Sequence, residues 1–221
     1  MTDISLATLR TRAREHADMV SSSFIGTSEL DGFINASGGE LWDILITRYE
    51  DYCTTPEWTT FTLSGSNYQS ALPADCVKLR GVEHYDRGEW NAIKRYTLED
   101  RDRWRDTQWR WGSDERRYTI LGSRLSFVPE DDASGQYRFR YVQAWTPLSS
   151  STQTVSLPNG WEEYIAVDAA IKCKQKEESD TSALEMRKSA LLRRIEAASS
   201  NRDAGEQEFL TDPNEVWSRG W

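Results

Sequence analysis

The spacing of the apolar residues changes twice along this chain, and that change constrains the fold more than any other feature. After Ser5, read as an N-cap, Leu6, Leu9, Ala13, Ala17 and Val20 recur at helical spacing. "SSSFIG" interrupts the pattern. Thr27 is then placed to cap a second helix, in which Leu30, Phe33, Ile34, Leu41, Trp42, Leu45 and Tyr49 follow the 3.6-residue period. Inside that helix "ASGGE" sets small residues at Ala36, Gly38 and Gly39. Glycine costs up to ~1 kcal/mol in a helix interior, so a close helix–helix approach or a kink is expected there.

From about Glu57 a two-residue alternation takes over. "WTTFTL", "YQSALP", "LRGVEHY", "WNAIKRY" and "GQYRFRYVQAW" read as strands. "DRGE" is a turn, and Gly122-Ser123 is the two-residue turn of a hairpin in "RYTILGSRLSFVPE". "TLEDRDRWRD" is read as a short helix capped by Thr97, with Asp100 at the capping-box position. The helical period returns in "LPNGWEEYIAVDAAIKCKQKEESD", where Trp161, Tyr164, Ile165, Asp168, Ala169 and Ile171 share a face. A last helix starts at Thr181 or Ser182 and carries a stripe of Leu184, Lys188, Leu191, Leu192, Ile195 and Ala198. Neither helix pair covers its own apolar face, and packing the first pair on the last solves that. The expected fold is α+β: a helical bundle from residues 1–56 and 157–204, an inserted β-rich domain at 57–156, and an extended arm at 205–221.

The 221 residues suffice for a sizeable core, and no apolar run approaches the roughly 18–20 residues of a membrane-spanning helix. "MTDISLATLR" has no apolar region of the secretory type. Three scattered cysteines, Cys53, Cys76 and Cys173, fit a reduced, cytoplasmic site of synthesis. A net charge of −9 argues against tight phosphate binding, because nucleic-acid affinity comes largely from Lys and Arg. Such a surface suits DNA that slides past, or merely keeps the protein in solution. The ten Trp point to contacts between chains, where Trp is enriched.

No catalytic constellation stands out. His16 and His84 lack metal-site spacing and read as partly exposed structural residues; no Cys pair has zinc spacing. "SGSN" is a turn without P-loop residues. Of the adjacent acids, Glu162 and Glu163 fit the first turn of a helix, where the macrodipole favours negative charge. Glu177-Glu178 and Asp131-Asp132 read as solvated faces. No cofactor is expected. "DRDRWRDTQWRWGSDERR" interleaves Arg with Trp, but its acids nearly balance its Arg. Arg–acid pairs and Arg–Trp stacking explain it better than DNA binding, so Trp104, Arg105, Trp109, Arg110 and Trp111 are candidate subunit-interface residues.

"SELDGFINASGGELWDILI", "SALPADCVKLRGVEHY", "NGWEEYIAVDAAIKCKQKEESD" and "LLRRIEAASSNRDAGE", taken in order, resemble the head-to-tail adaptor proteins of tailed phages over most of residues 5–206. The resemblance implies a virion structural protein, not an enzyme, located at the head–tail junction. It implies a homo-oligomeric ring, commonly twelve-fold, joining the portal protein to tail or nozzle proteins and lining the genome channel without specific DNA binding. Some short-tailed phage adaptors look as if they double as peptidoglycan hydrolases, which is the alternative reading. A DNA-binding packaging factor conflicts with the charge. The closing "EFLTDPNEVWSRGW" has too few apolar residues for a helix stripe and too many for a solvated end. The 17 residues from Gly205 extend about 55 Å; with what the resemblance implies, Phe209, Leu210, Val216, Trp217 and Trp221 read as portal-binding anchors on an arm, the alternative being a frayed tail whose aromatics fold back on the monomer.

Overall fold

A computed structural model of the chain describes residues 2–20, 24–105 and 116–200. Five α-helices, α1 (Leu6–Ala17), α2 (Thr27–Arg48), α3 (Arg101–Arg105), α4 (Glu162–Lys176) and α5 (Ser182–Ser200), combine with ten strands in a mixed α+β fold. Ser5 caps α1, its hydroxyl accepting the Thr8 N–H at 3.2 Å. Asp18 ends that helix in the left-handed region, so Val20 falls beyond it and is exposed rather than continuing the stripe. Thr27 already lies inside α2; the capping position belongs to Gly26, which has no side chain to offer. Leu98–Asp100 form a 3-10 turn ahead of α3, and Thr97 Oγ1 donates to Asp100 Oδ2 at 2.9 Å instead of capping a backbone amide.

The strands make three sheets. β1 (Thr2–Ser5) pairs antiparallel with β10 (Thr154–Leu157). Four antiparallel strands follow the order β2 (Thr59–Leu63), β9 (Gly135–Gln143), β4 (Cys76–Asp86), β5 (Glu89–Ala92). A second four-stranded sheet runs β3 (Gln69–Ala71), β8 (Arg124–Val128), β7 (Arg117–Leu121), β6 (Lys94–Arg95), with β6 and β7 parallel. Gly122 takes the left-handed turn of the β7–β8 hairpin, where the register pairs Leu121 with Arg124. "WNAIKRY" is split at Ile93: β5 stays with β4 while β6 crosses to the other sheet.

Two apolar clusters result. One gathers α1, α2, α4, Ile195 of α5 and the ends of the β1–β10 ribbon; the other lies between the four-stranded sheets around Leu125, Phe127, Tyr137 and Phe139. β9 spans both, because Tyr137, Phe139 and Tyr141 enter the sheet cluster and Val142 the helical one.

α4 is buried on nearly every side, against α1, α2 and α5. Its Asp168 is 2% exposed. Lys172 and Lys188 both reach it, the latter at 2.5 Å, and Ser37 and Glu40 of α2 complete the cluster. Burial alone would raise the Asp168 carboxyl; hydrogen bonds from Lys172, Lys188 and Ser37 outweigh it and hold the carboxyl below its ordinary value. The same contact, acting against burial, raises the Lys188 ammonium.

The small residues of α2 serve neither a helix–helix approach nor a kink. The helix is continuous, and Gly38 receives the Trp145 indole from the segment after β9: a Cβ there would lie 2.6 Å from Cε2 and 2.9 Å from Cη2. Asn35 and Trp42, on the same helix, fasten the rest of that segment. Asn35 accepts the Leu148 N–H at 2.7 Å and donates to its C=O at 2.9 Å, while Trp42 Nε1 donates to Gln143 C=O at 2.7 Å.

Two substitutions test this packing. Gly38→Ala should cost about 1–3 kcal/mol through overpacking. Gly39→Ala, with nothing within 4 Å of the added methyl, should gain up to ~1 kcal/mol of helix propensity; equal shifts of the urea midpoint would refute the Trp145 contact. Asp168→Asn should cost about 2–4 kcal/mol at neutral pH by removing the buried negative charge that Lys172 and Lys188 share, leaving them a neutral amide oxygen and Glu40. Because the folded carboxyl is depressed below 3.8, its contribution is present above that value and fades as pH falls through the lower folded value. Acid titration of stability should therefore be shallower in the variant.

Candidate interaction surfaces

From Gln136 to Tyr141 β9 alternates, so its inward aromatics leave Arg138 and Arg140 on the outer face of the β2–β9–β4–β5 sheet. Arg138 lies between two indoles, 4.4 Å from the Trp58 ring centre and 4.3 Å from that of Trp90. Its guanidinium also holds Glu83 of β4, Nε to Oε2, at 2.6 Å. Arg140 covers the Trp58 ring at 4.6 Å, and its buried Nε has no hydrogen-bond partner among the described residues. Tyr85 extends the layer against Trp90, 5.0 Å between ring centres. Cation–π pairs of this kind contribute about 0.5–2 kcal/mol. The sequence reading missed this layer because Trp58, Trp90 and Arg138 are far apart in the chain; the alternation of "YRFRY" was the one available signal.

Of the residues proposed for a subunit interface, Trp104 of α3 takes the Arg117 guanidinium of β7 at 3.5 Å and Arg103 at 5.5 Å over its ring. Its ring is engaged within the chain. Arg101 of the same stretch pairs with Glu130. Arg105 ends α3, and Trp109, Arg110 and Trp111 lie outside the described residues. So do Phe209, Leu210, Val216, Trp217 and Trp221.

A third surface is a groove of about 260 Å³ between residues 143–148 and 153–156, with Trp42 in its wall. The two segments are joined by a short loop in which Gln153 Oε1 accepts the N–H of Ser149 at 2.6 Å and of Ser150 at 3.0 Å. Among the described residues β10 is paired only with β1. Leu6 N–H donates to Gln153 C=O at 3.0 Å, and the register pairs Ile4 with Val155. Antiparallel pairing alternates bonded and non-bonded positions, so the backbone groups of Thr154 and Ser156 turn away from β1, toward the groove. Tyr52 OH donating to Ser156 C=O at 2.6 Å agrees with that direction.

Several of the titratable residues singled out in the sequence are paired or buried. Glu162 and Glu163 do stand in the first turn of α4, and they also tie helices together. Glu163 accepts from His16 at 2.8 Å and from Arg187 at 2.6 Å, and Arg12 lies 3.6 Å from Glu162. His84 is buried, contrary to the partly exposed reading, with its ring 4.9 Å from that of Tyr137 and with Arg116 against it. Asp132 is paired with Arg116 at 3.2 Å. Burial pushes the Cys53 thiol up to about 12 and the Cys173 thiol up to about 11, so both are poor nucleophiles. Among the described residues no three His, Cys, Asp or Glu side chains converge as a metal site. No described helix is long and apolar enough to cross a membrane.

Compared with known proteins, the chain matches a family model described as SU10 adaptor protein over residues 4–213. No curated protein matches it.

Arg138 provides a test of the aromatic layer. Arg138→Lys keeps the charge but loses the planar stacking and the fork to Glu83. It should lower stability by about 1–2 kcal/mol in thermal or urea unfolding; a neutral outcome would mean that the indoles do not hold the guanidinium.

Proposed function

The chain belongs to the SU10 adaptor protein family, a family of structural virion adaptors, and from this premise we infer that it forms a ring beneath the portal, joins the portal to the tail and lines the genome channel at the head–tail junction. The observation that carries this reading is the extent of the family match. It runs through all five helices and all but the first residues of β1, and continues past Ser200 into the C-terminal segment. Within this reading α1, α2, α4 and α5 form one bundle, residues 57–156 are a β-rich insertion, and residues beyond 204 form an arm.

Charge supports the division of labour. Residues 57–156 carry 14 acidic and 14 Lys or Arg residues, so the entire net charge of −9 lies on residues 1–56 and 157–221. An acidic helical wall repels phosphates and lets a genome pass without sticking. The acidic side chains gathered at α4 are held by Arg, Lys and His partners, an arrangement that favours a structural role over hydrolysis. Ring contacts are heterologous, one face meeting a different face of the next copy. The Trp58–Arg138–Trp90 layer and the Trp104 region suit such a contact.

Portal docking is assigned to the arm, with Phe209, Leu210, Val216, Trp217 and Trp221 as anchors. Deleting residues 208–221 should abolish co-migration with the portal in size-exclusion chromatography and leave the circular dichroism unchanged. A truncated chain that binds the portal as tightly as the full one contradicts the assignment.

A further inference from the structure

The groove beside β10 has the chemistry of a strand acceptor. One wall is the edge of β10, where Thr154 and Ser156 turn their backbone groups outward. The other is the segment 143–148, held off at a fixed distance by Asn35, Gly38 and Trp42 of α2. Between them the floor is apolar, formed by Trp145, Pro147, Leu148 and Val155. No residue of 143–148 or 153–156 is charged. An extended, uncharged peptide with a large apolar side chain satisfies the edge through its backbone and fills the floor through its side chain, as in strand addition.

The chain supplies such a peptide, and the fold delivers it to this place. α4 begins directly after β10, and α5 packs along α4 in the reverse direction, so α5 ends where β10 leads in. Arg194 of α5 lies 3.5 Å from the Gly160 carbonyl, four residues past Ser156, and Glu196 lies 3.4 Å from Arg48 at the end of α2. From Ser200, the eight residues 201–208 reach about 26 Å when extended. The first large apolar residues they bring are Phe209 and Leu210, and with Thr211 these form an uncharged triplet between Glu208 and Asp212.

We propose that Phe209–Thr211 of the chain's own C-terminal segment lie in this groove as an added strand on the edge of β10 that faces away from β1, next to the Tyr52 OH held by Ser156 C=O. The root of the arm is thereby seated, and the last ten residues, with Val216, Trp217 and Trp221, leave from a defined point. This seat takes Phe209 and Leu210 out of the set of portal anchors and leaves Val216, Trp217 and Trp221 to dock, whatever they bind. Removing residues 212–221 tests portal docking with the seat intact, so the two ideas fail separately.

Amide hydrogen exchange of the full chain, read residue by residue by NMR, tests the seat. In the wild type the Thr154 and Ser156 amides should be protected, and the Phe209→Ser, Leu210→Ser double variant should exchange them at least roughly ten-fold faster while leaving Ile4 and Val155 unchanged. Rates equal in the two proteins overturn the proposal. Protection that disappears on dilution also overturns it, because the occupant is then a second copy. As an independent measurement, Thr154→Cys with Thr211→Cys, in a Cys76→Ser background, should form a disulfide within one chain and in higher yield than Thr154→Cys with Ser218→Cys. Equal yields, or a bond between chains, count against the seat.

Discussion

The carboxylate of Asp168 is the constraint on which the helical arrangement depends. A carboxylate 2% exposed is costly to bury unless it is paired and hydrogen-bonded. Its partners come from three different helices: Lys172 from α4 itself, Ser37 from α2 and Lys188 from α5, and Glu40 of α2 accepts from both lysines. Sliding any of these helices by one turn strands a charge. The apolar faces of α1, α2 and α5 could pack in several registers on the alanine-rich surface of α4; the buried ion cluster selects one.

That register has consequences beyond the helices. β10 runs directly into α4, and β1 runs directly into α1, so their pairing joins the starts of two helices that also pack on each other. α5 returns along α4 and releases the chain beside β10. On the other side, β9 enters both apolar clusters, and Glu50 and Asp51, just past α2, hold Arg80 of β4 at 2.5 and 2.6 Å. Helices and sheets are thus connected through several short links rather than one flexible joint. This suits a structural adaptor.

Much of this was legible in the residues. Ser5, the alternation of β9, the Gly122-Ser123 turn and the apolar stripes of α2 and α5 each act through their own neighbours, and local chemistry sufficed to read them. Where the answer depended on distant residues, the reading failed or stayed open. Gly38 is small because of Trp145, more than a hundred positions away. β1 carries too short a pattern to be recognised without β10. Asp168 was placed on an apolar face without a reason, since Lys188 and Ser37 meet it only after folding. The Arg138 sandwich was missed for the same cause. Among the proposed interface residues only Trp104 has a described environment, and its ring serves Arg117 of its own chain.

The functional reading turns on the apolar and aromatic side chains of Val216, Trp217 and Trp221 being kept for a docking platform. Electron microscopy of the full chain mixed with its portal protein addresses this most directly. The account predicts a closed ring of copies under the portal, with density for residues 212–221 running onto the portal surface. Portal particles without added density, alongside single copies of this chain, would contradict it.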